Sequence, residues 1–419
     1  MNATTLSIGN ELVLGQTVDT NSAWLSQRLA SLGIDCIAHI TVGDDQSAIA
    51  QAIDDAARRC DLLLITGGLG PTKDDLTRQA LAQILGQPLE MNQLWLTRMQ
   101  QIFQRLNRPM VESNRAQALI PRGAEMIENF AGTAAGIAAQ FPSHPCKIFA
   151  MPGVPVEMRA MFDRSIAPLL SGGSEAGVIL THTLHTFGLG ESALGEMLGD
   201  LMNRGRNPLV GTTVSGGIVS VRIASRQSSR AAADEKLDET IAQCRKVLGD
   251  LIFGENEQTL PVVVAALLSS PTVRRVATAE SCTGGLVAKM LTDVPGSSQY
   301  FHRGWITYSD QSKSELLGVD PDLIAAHGAV SEPVVAAMAD GARRQSSADF
   351  ALAISGIAGP DGGTPAKPVG TVCIALAHSS GQIVRTFGFP GDREMVRDRS
   401  AKMALTLLRF YILGKSLPF

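Results

Sequence analysis

Apolar positions along this chain change their period repeatedly, and each change predicts where a strand gives way to a helix. Ile34–Val42 reads as a strand, and Ser47–Arg59 follows with Ile49, Ile53 and Ala56/Ala57 on one face, the repeat of an amphipathic helix. Asp61–Thr66 (DLLLIT) is a short continuous apolar run, as a parallel strand shows when both faces are covered. A helix is expected from about Asp75 to Gly86, where glycine accepts the left-handed C-cap. Strand, helix, strand, helix predicts a doubly wound α/β sheet.

The middle of the chain reads strand (178–187), helix (191–203), a hairpin across Ser215-Gly216-Gly217, helix (230–248) and strand (250–253). That order predicts a small split βαβ domain. The last third returns to α/β. Strands are expected at Val273–Ala279, Phe301–Tyr308, Phe350–Ser355, Thr371–Ala377 and Ile383–Phe389, and helices at 284–292, 311–317, 332–345 and 393–413. Two polar, glycine-containing breaks, SGGSEAG (171–177) and GENEQTLP (254–261), read as linkers. The expected domains are therefore 1–170, 171–255 and 256–419.

Composition narrows the function classes. A chain of 419 residues exceeds what one core usually supports, and 45% hydrophobic with 18% charged residues is a globular mixture. The net charge of −4, without a dense Lys/Arg run, offers no nucleic-acid-binding face. Six scattered cysteines without a C-x-x-C pair suggest neither a zinc site nor a disulfide framework. The opening MNATTLSIGNE lacks a signal-peptide pattern, and VVVAALL (262–268) is far short of the roughly 20 residues that span a bilayer. A cytoplasmic protein without membrane contact is expected. His182 and His185 lie three apart on a strand and so face opposite ways; structural roles are expected for both.

Chemistry concentrates near the two ends. TGGLGPTKDDLT (66–77) leaves an apolar strand and enters a helix, where open α/β sheets bind ligands. Gly67, Gly68 and Gly70 let backbone N–H groups turn toward a phosphate, Thr72 lies in the same loop, and Asp74 and Asp75 stand where a charge-neutralising cation would sit. A plain Gly-Pro turn with an aspartate cap is the alternative. Glu11, Asp19 and Asn21 follow the first strand, and Asp44 and Asp45 the second; each can also serve as a helix cap. EL-x-LG-x-x-x-DTN, VGDD, TGGLGPTKDDLT and MPGVPVEM (151–158) resemble the molybdopterin-binding-like domain of the CinA (competence/damage-inducible protein A) family. The resemblance implies metal-dependent hydrolysis of ADP-ribose. A divalent metal, alone or with a monovalent cation, would rest on Asp75, Asp44 and Glu11, with Asp75 and Asp44 catalytic and Gly67, Gly68, Gly70, Thr72 and Asn21 binding substrate. Ala135 departs from the family's proline in GTAAG (132–136).

At the other end, ATAESCTGG (277–285) also passes from strand to helix. Ser281 is placed for attack but has no G-x-S-x-G or Ser/His/Asp setting, and His302 follows a different strand. Lys313 is the candidate base, provided that burial or nearby positive charge lowers its pKa from about 10.4. Cys282 is a rival nucleophile, and a cap serine with a surface lysine is the structural alternative. SGIAGPDGGTPAKPVGT (355–371) is rigid and open enough to wrap a ligand, with Ser355 and Thr364 as donors, and Arg393 and Arg397 share a helix face. ESCTGG, YS-x-x-x-K-x-x-LLGV, SGIAGPDGG and GDRE are similar to the C-terminal, nicotinamide mononucleotide deamidase domain of the CinA family. The resemblance implies hydrolysis of the carboxamide to nicotinic acid mononucleotide and ammonia, without a cofactor. Ser281 would be nucleophile and Lys313 base, with Tyr308 also in the catalytic set. Thr283, Gly284, Gly285, Ser355, Gly356, Gly359 and Arg393 would form the pocket, the Gly284–Gly285 amides or the Ser355 loop holding the oxyanion. Asp310 stands where asparagine is common. The family also implies a homodimer. A non-catalytic competence-associated protein and a molybdopterin-cofactor enzyme are the other readings.

Overall fold

The computed structural model describes residues 1–170 and 178–419, so the SGGSEAG break lies outside the described residues. The described chain divides into two compact units, Met1–Leu180 with Ser225–Lys236, and Thr181–Ala224 with Leu237–Phe419.

The first unit carries a six-stranded sheet in the order Asp35–Val42, Asn2–Ile8, Leu62–Thr66, Lys147–Met151, Gly136–Gln140, Glu125–Ile127. The first four strands run parallel and the last two antiparallel, an edge that the apolar pattern does not announce. Alternation along Leu62–Thr66 builds both layers. Leu63 and Ile65 pack with Ile49, Ile53 and Leu81 on one face, while Leu62 and Leu64 pack with Leu25, Met158 and Phe162 on the other. This fits the doubly wound expectation. The helix after the glycine loop starts at Thr77 and stops at Gly86, whose φ is 62°.

A four-stranded sheet follows, ordered Leu209–Ser215, Ile218–Gln227, Val178–Phe187, Ile252–Glu255, with helices Glu191–Leu198 and Arg230–Leu248. This is the split βαβ arrangement that the sequence predicts. His182 bonds Glu255 at 2.9 Å, whereas His185 bonds Ser220 at 2.8 Å. They serve separate structural bonds.

The C-terminal sheet is ordered Phe301–Ile306, Val276–Glu280, Phe350–Gly356, Thr371–His378, Gly381–Gly388. Its first three strands are parallel and its last two antiparallel. Phe350, Leu352 and Ile354 face helices Leu260–Ser269, Leu286–Thr292 and Arg393–Ile412. Ala351 and Ala353 face Asp310–Leu317 and Glu332–Ser346. VVVAALL is thus part of a core helix that buries Leu260, Val264, Ala265 and Leu268. Among the described residues, no helix is long and apolar enough to cross a membrane.

Candidate active sites

In the first unit, Glu11, Asp44, Gly67, Gly68, Gly70, Thr72 and Asp75 line one cavity of about 430 Å³ at the strand ends. Proximity alone does not make these groups available to a ligand. Asp75 accepts from the Gly70 amide at 2.7 Å, from the Thr72 amide at 2.8 Å and from the Thr72 hydroxyl. The Gly67 amide donates to Met151 O at 3.1 Å. Three of the amides that a phosphate would use are therefore already engaged, leaving Gly68 and Leu69 with N–H groups that donate to no acceptor among the described residues.

Gly67 is required by packing. At φ 103° its missing Cβ would lie 2.2 Å from Ile8 O, a contact no side chain tolerates. Arg78 holds the same loop from beneath, donating to Leu69 O at 2.9 Å and Gly70 O at 2.5 Å. Burial lowers its pKa from the ordinary guanidinium value, and nearby Asp75 opposes that shift. Sequence reasoning missed Arg78; its only local signal is a cation directly behind the acidic pair.

Asn21 does not line the cavity. It sits behind the cavity wall, its amide donating to Thr66 Oγ1 at 3.0 Å and Gly153 O at 2.8 Å, so it joins the TGG and PGVP turns. Asp19 and Asp45 cap the helices that follow them. Asp44 exchanges two bonds with Asn10, at 2.9 and 3.1 Å.

Glu11, Asp44, Asp74, Asp75 and Glu157 all line this cavity, and among the described residues no lysine or arginine does. A phosphate could enter only with cations to offset that charge. Yet no three carboxylate, histidine or cysteine side chains among the described residues converge tightly enough to hold a metal ion. The expected set of Glu11, Asp44 and Asp75 therefore does not make a complete metal site by itself.

The C-terminal unit brings Ser281, Tyr308, Lys313, Ser355, Gly356, Gly359 and Arg393 around one cavity of about 290 Å³. Ser281 is 9% exposed, and its hydroxyl has no protein hydrogen-bond partner among the described residues. Its backbone N–H donates to Ile354 O at 2.9 Å, tying the turn to the neighbouring strand. Lys313 is 1% exposed. Its ammonium lies 3.2 Å from Thr307 O, 3.5 Å from Tyr308 O and 3.4 Å from Ser309 O, with Asp310 at 3.5 Å. Burial is as the sequence required. The charge beside the amine is negative, however, and no neighbouring cation is found in its hydrogen-bond or ion-pair set.

Arg393 donates to Gly359 O and to the Tyr308 hydroxyl, each at 2.8 Å. Five guanidinium donors leave several for a ligand, and Tyr308, as acceptor, keeps its own proton to give. Ser355 donates to Ala329 O at 2.7 Å, so its one proton is committed and only its lone pairs remain.

Other expected pocket residues are elsewhere. Thr283 is fully buried and lines no part of the cavity, and Gly284 and Gly285 are also outside it. The Gly284 amide donates to Ser281 O at 3.0 Å and the Gly285 amide to Glu280 Oε2 at 2.9 Å, so neither glycine amide of this turn is left for an oxyanion. Ala358, Gly359 and Gly362 do line the cavity, and their amides donate to no acceptor among the described residues. Thr364 lies outside the cavity, where its hydroxyl accepts from the Lys367 amide. Arg397 grips Cys282 O and Thr283 O instead of the cavity. Burial raises the Cys282 thiol to about 12, which keeps it protonated and a poor nucleophile.

Three family models match the chain: a probable molybdopterin binding domain over residues 4–172, a damage-inducible protein CinA KH domain over 181–254, and a CinA C-terminal domain over 257–412. A putative competence-damage inducible protein from Symbiobacterium thermophilum is 44% identical, covering 97% of this chain and 98% of its own. A CinA-like protein from Geobacter metallireducens is 42% identical, covering 99% and 100%. Among solved structures, competence/damage inducible protein CihA from Agrobacterium tumefaciens aligns at 37% identity and a TM-score of 0.35, covering 36% of this chain and 95% of that one.

Proposed function

The chain belongs to the CinA family, and from that membership we propose that its C-terminal cavity deamidates nicotinamide mononucleotide to nicotinic acid mononucleotide and ammonia. The observation that carries this reading is the meeting of an unpartnered serine hydroxyl, a buried lysine amine and a partly free arginine around one small cavity. About 290 Å³ is at the small end of the ~300–1,000 Å³ usual for ligand sites, a size suited to one mononucleotide. Arg393 has donors for the phosphate. Lys313, once neutral, takes the Ser281 proton as the oxygen bonds to the carboxamide carbon. The oxyanion meets the free amides of Ala358, Gly359 or Gly362. Lys313 then returns the proton to the departing nitrogen, the C–N bond breaks and ammonia leaves. Water then adds to the acyl carbon as the same amine takes its proton, the ester C–O bond breaks, and the amine returns that proton to the Ser281 oxygen as the carboxylate product leaves. Every proton has a destination on this chain, so the reaction as proposed asks for no cofactor.

The deciding assay is ammonia release from nicotinamide mononucleotide by the purified protein in the presence of a chelator. Absence of ammonia overturns the reading.

For the N-terminal cavity we propose hydrolysis of the ADP-ribose pyrophosphate. The acidic lining and the two unused amides of Gly68 and Leu69 favour a phosphate that arrives already carrying cations. Because the protein side chains do not complete a metal site, phosphate oxygens would have to supply the remaining ligands, as magnesium sites often require. A homodimer in the cytoplasm and three domains at 1–170, 171–255 and 256–419 belong to the same proposal. Inertness toward both nucleotides would favour a non-catalytic competence-associated role.

A further inference from the structure

We infer that Glu280 and Arg397 are positioning residues that hold Ser281 in attacking position from behind. The inference rests on the deamidase reading for its substrate, but its geometry is independent of that substrate. Glu280 ends the strand Val276–Glu280 and is 1% exposed. Its Oε2 accepts from the Gly285 amide at 2.9 Å and the Val287 amide at 3.1 Å, and its Oε1 from the Ala288 amide at 2.8 Å. A buried carboxylate is costly unless its oxygens are satisfied, and here three N–H groups at the start of one helix satisfy it.

Arg397 completes the brace from a helix more than a hundred residues away in sequence. Its Nε donates to Cys282 O at 3.1 Å and its terminal nitrogen to Thr283 O at 2.8 Å. The turn between Glu280 and Gly285 is thus held at its far amides by an anion and at its carbonyls by a cation. Gly284 and Gly285, at φ 60° and 94°, permit the tight path between those holds. Ser281 and Cys282 are the turn residues that line the cavity, and the Ser281 hydroxyl has no partner among the described residues. Neither Glu280 nor Arg397 lines that cavity, so neither is a catalytic residue.

Glu280 also closes the helix entrance to ligands. With the Gly285, Val287 and Ala288 amides occupied, the first turn of this helix offers none of them to an oxyanion. The ESCTGG string is therefore a nucleophile mount with its own internal counter-anion.

The test is E280Q in the full-length protein, read in two ways. Ammonia release should show kcat lowered about 10- to 100-fold, the scale expected for a displacement of about 1 Å, with KM changed less than about twofold. A fluorophosphonate probe, which needs an activated serine but not the nucleotide, should label Ser281 more slowly by a similar factor. E280D should recover part of both, because a carboxylate can still accept two of the bonds. If E280Q is folded and both rates stay within about twofold of the parent, the inference is wrong. Loss fully accounted for by an unfolded fraction, measured by circular dichroism, also overturns it. If E280Q does not fold, R397K decides: reduced kcat and labelling with unchanged KM support the brace, and unchanged rates reject it. Should the parent label Ser281 but release no ammonia, the substrate assignment fails while the labelling comparison still tests the brace.

Discussion

The N-terminal and C-terminal cavities solve one local problem in the same way and then diverge. Each lies where parallel strands hand over to helices, and each handover is tied down by an internal carboxylate, Asp75 in one and Glu280 in the other. The difference is what the fixed turn presents. The C-terminal cavity is lined by a free hydroxyl, a buried amine and an arginine; the N-terminal cavity is lined by five carboxylates and, among the described residues, no cationic side chain, since Arg78 holds its loop from outside the cavity. A glycine-rich turn of this type is therefore not by itself a phosphate cradle. Its amides can be consumed internally, and the chemistry is set by the side chains of neighbouring strand ends.

The strongest way to break the comparison is to remove the hydroxyl or the amine. Ser281→Ala and Lys313→Ala should each lower ammonia release by about 10³-fold or more, by analogy with deletion of triad members. Both variants should keep the parent's ADP-ribose cleavage, measured as AMP formed. Near-normal ammonia release by both would end the Ser–Lys assignment. The next effect reverses the regions. A chelator should suppress AMP formation at least about tenfold and leave ammonia release within about twofold, since only the acidic cavity needs cations to admit a pyrophosphate. Asp75→Asn should likewise reduce AMP formation, because the substitution loosens the Gly70–Thr72 turn. Full metal-dependent cleavage by that variant would remove Asp75 from the mechanism.

A smaller and more specific effect is expected at Arg393. Its alanine variant loses charge-assisted contacts worth about 1.5–3 kcal/mol, so KM should rise about 10- to 100-fold. The effect should weaken for the nucleoside that lacks the phosphate. An equal loss for nucleotide and nucleoside would place the phosphate elsewhere.

These contrasts show how far the sequence could be read. The handovers themselves were legible because an apolar run, glycines and a helix period occur together within about twenty residues at Leu62–Leu85 and Val276–Thr292. Ser281 and Lys313 were legible as candidates from the strand-to-helix turn and the helix after the next strand, and the family resemblance added their roles; the structure places both on one cavity. What was not legible is which groups were already engaged. Whether the Gly67 amide is free depends on Met151, and the role of Arg397 depends on carbonyls 114 and 115 residues away. Local pattern carries no record of such partners. The same limit explains Asn21, whose short distance from a strand end suggested a ligand contact but whose amide is taken by Thr66 and Gly153.

The smallest expected effect is at Cys282, the residue beside the nucleophile and the sharpest internal control. Burial disfavours its thiolate and pushes the thiol from its ordinary 9.0 up to about 12. At pH 8 the folded protein therefore holds a neutral thiol, and Cys282→Ala should keep ammonia release within about threefold, with the small loss arising from one vacated contact in the core. Iodoacetamide should leave Cys282 unlabelled at that pH while the fold is intact. The sign of the linkage follows from the raised value: the unfolded chain begins to lose this proton near pH 9, whereas the folded chain holds it until about 12. Stability from this group is thus complete below pH 9 and declines as pH climbs toward 12. Alkaline titration of the parent and Cys282→Ala should show the parent losing more stability across that window. Rapid alkylation of folded protein at pH 8, with parallel loss of ammonia release in Cys282→Ala, would instead move the nucleophile by one residue.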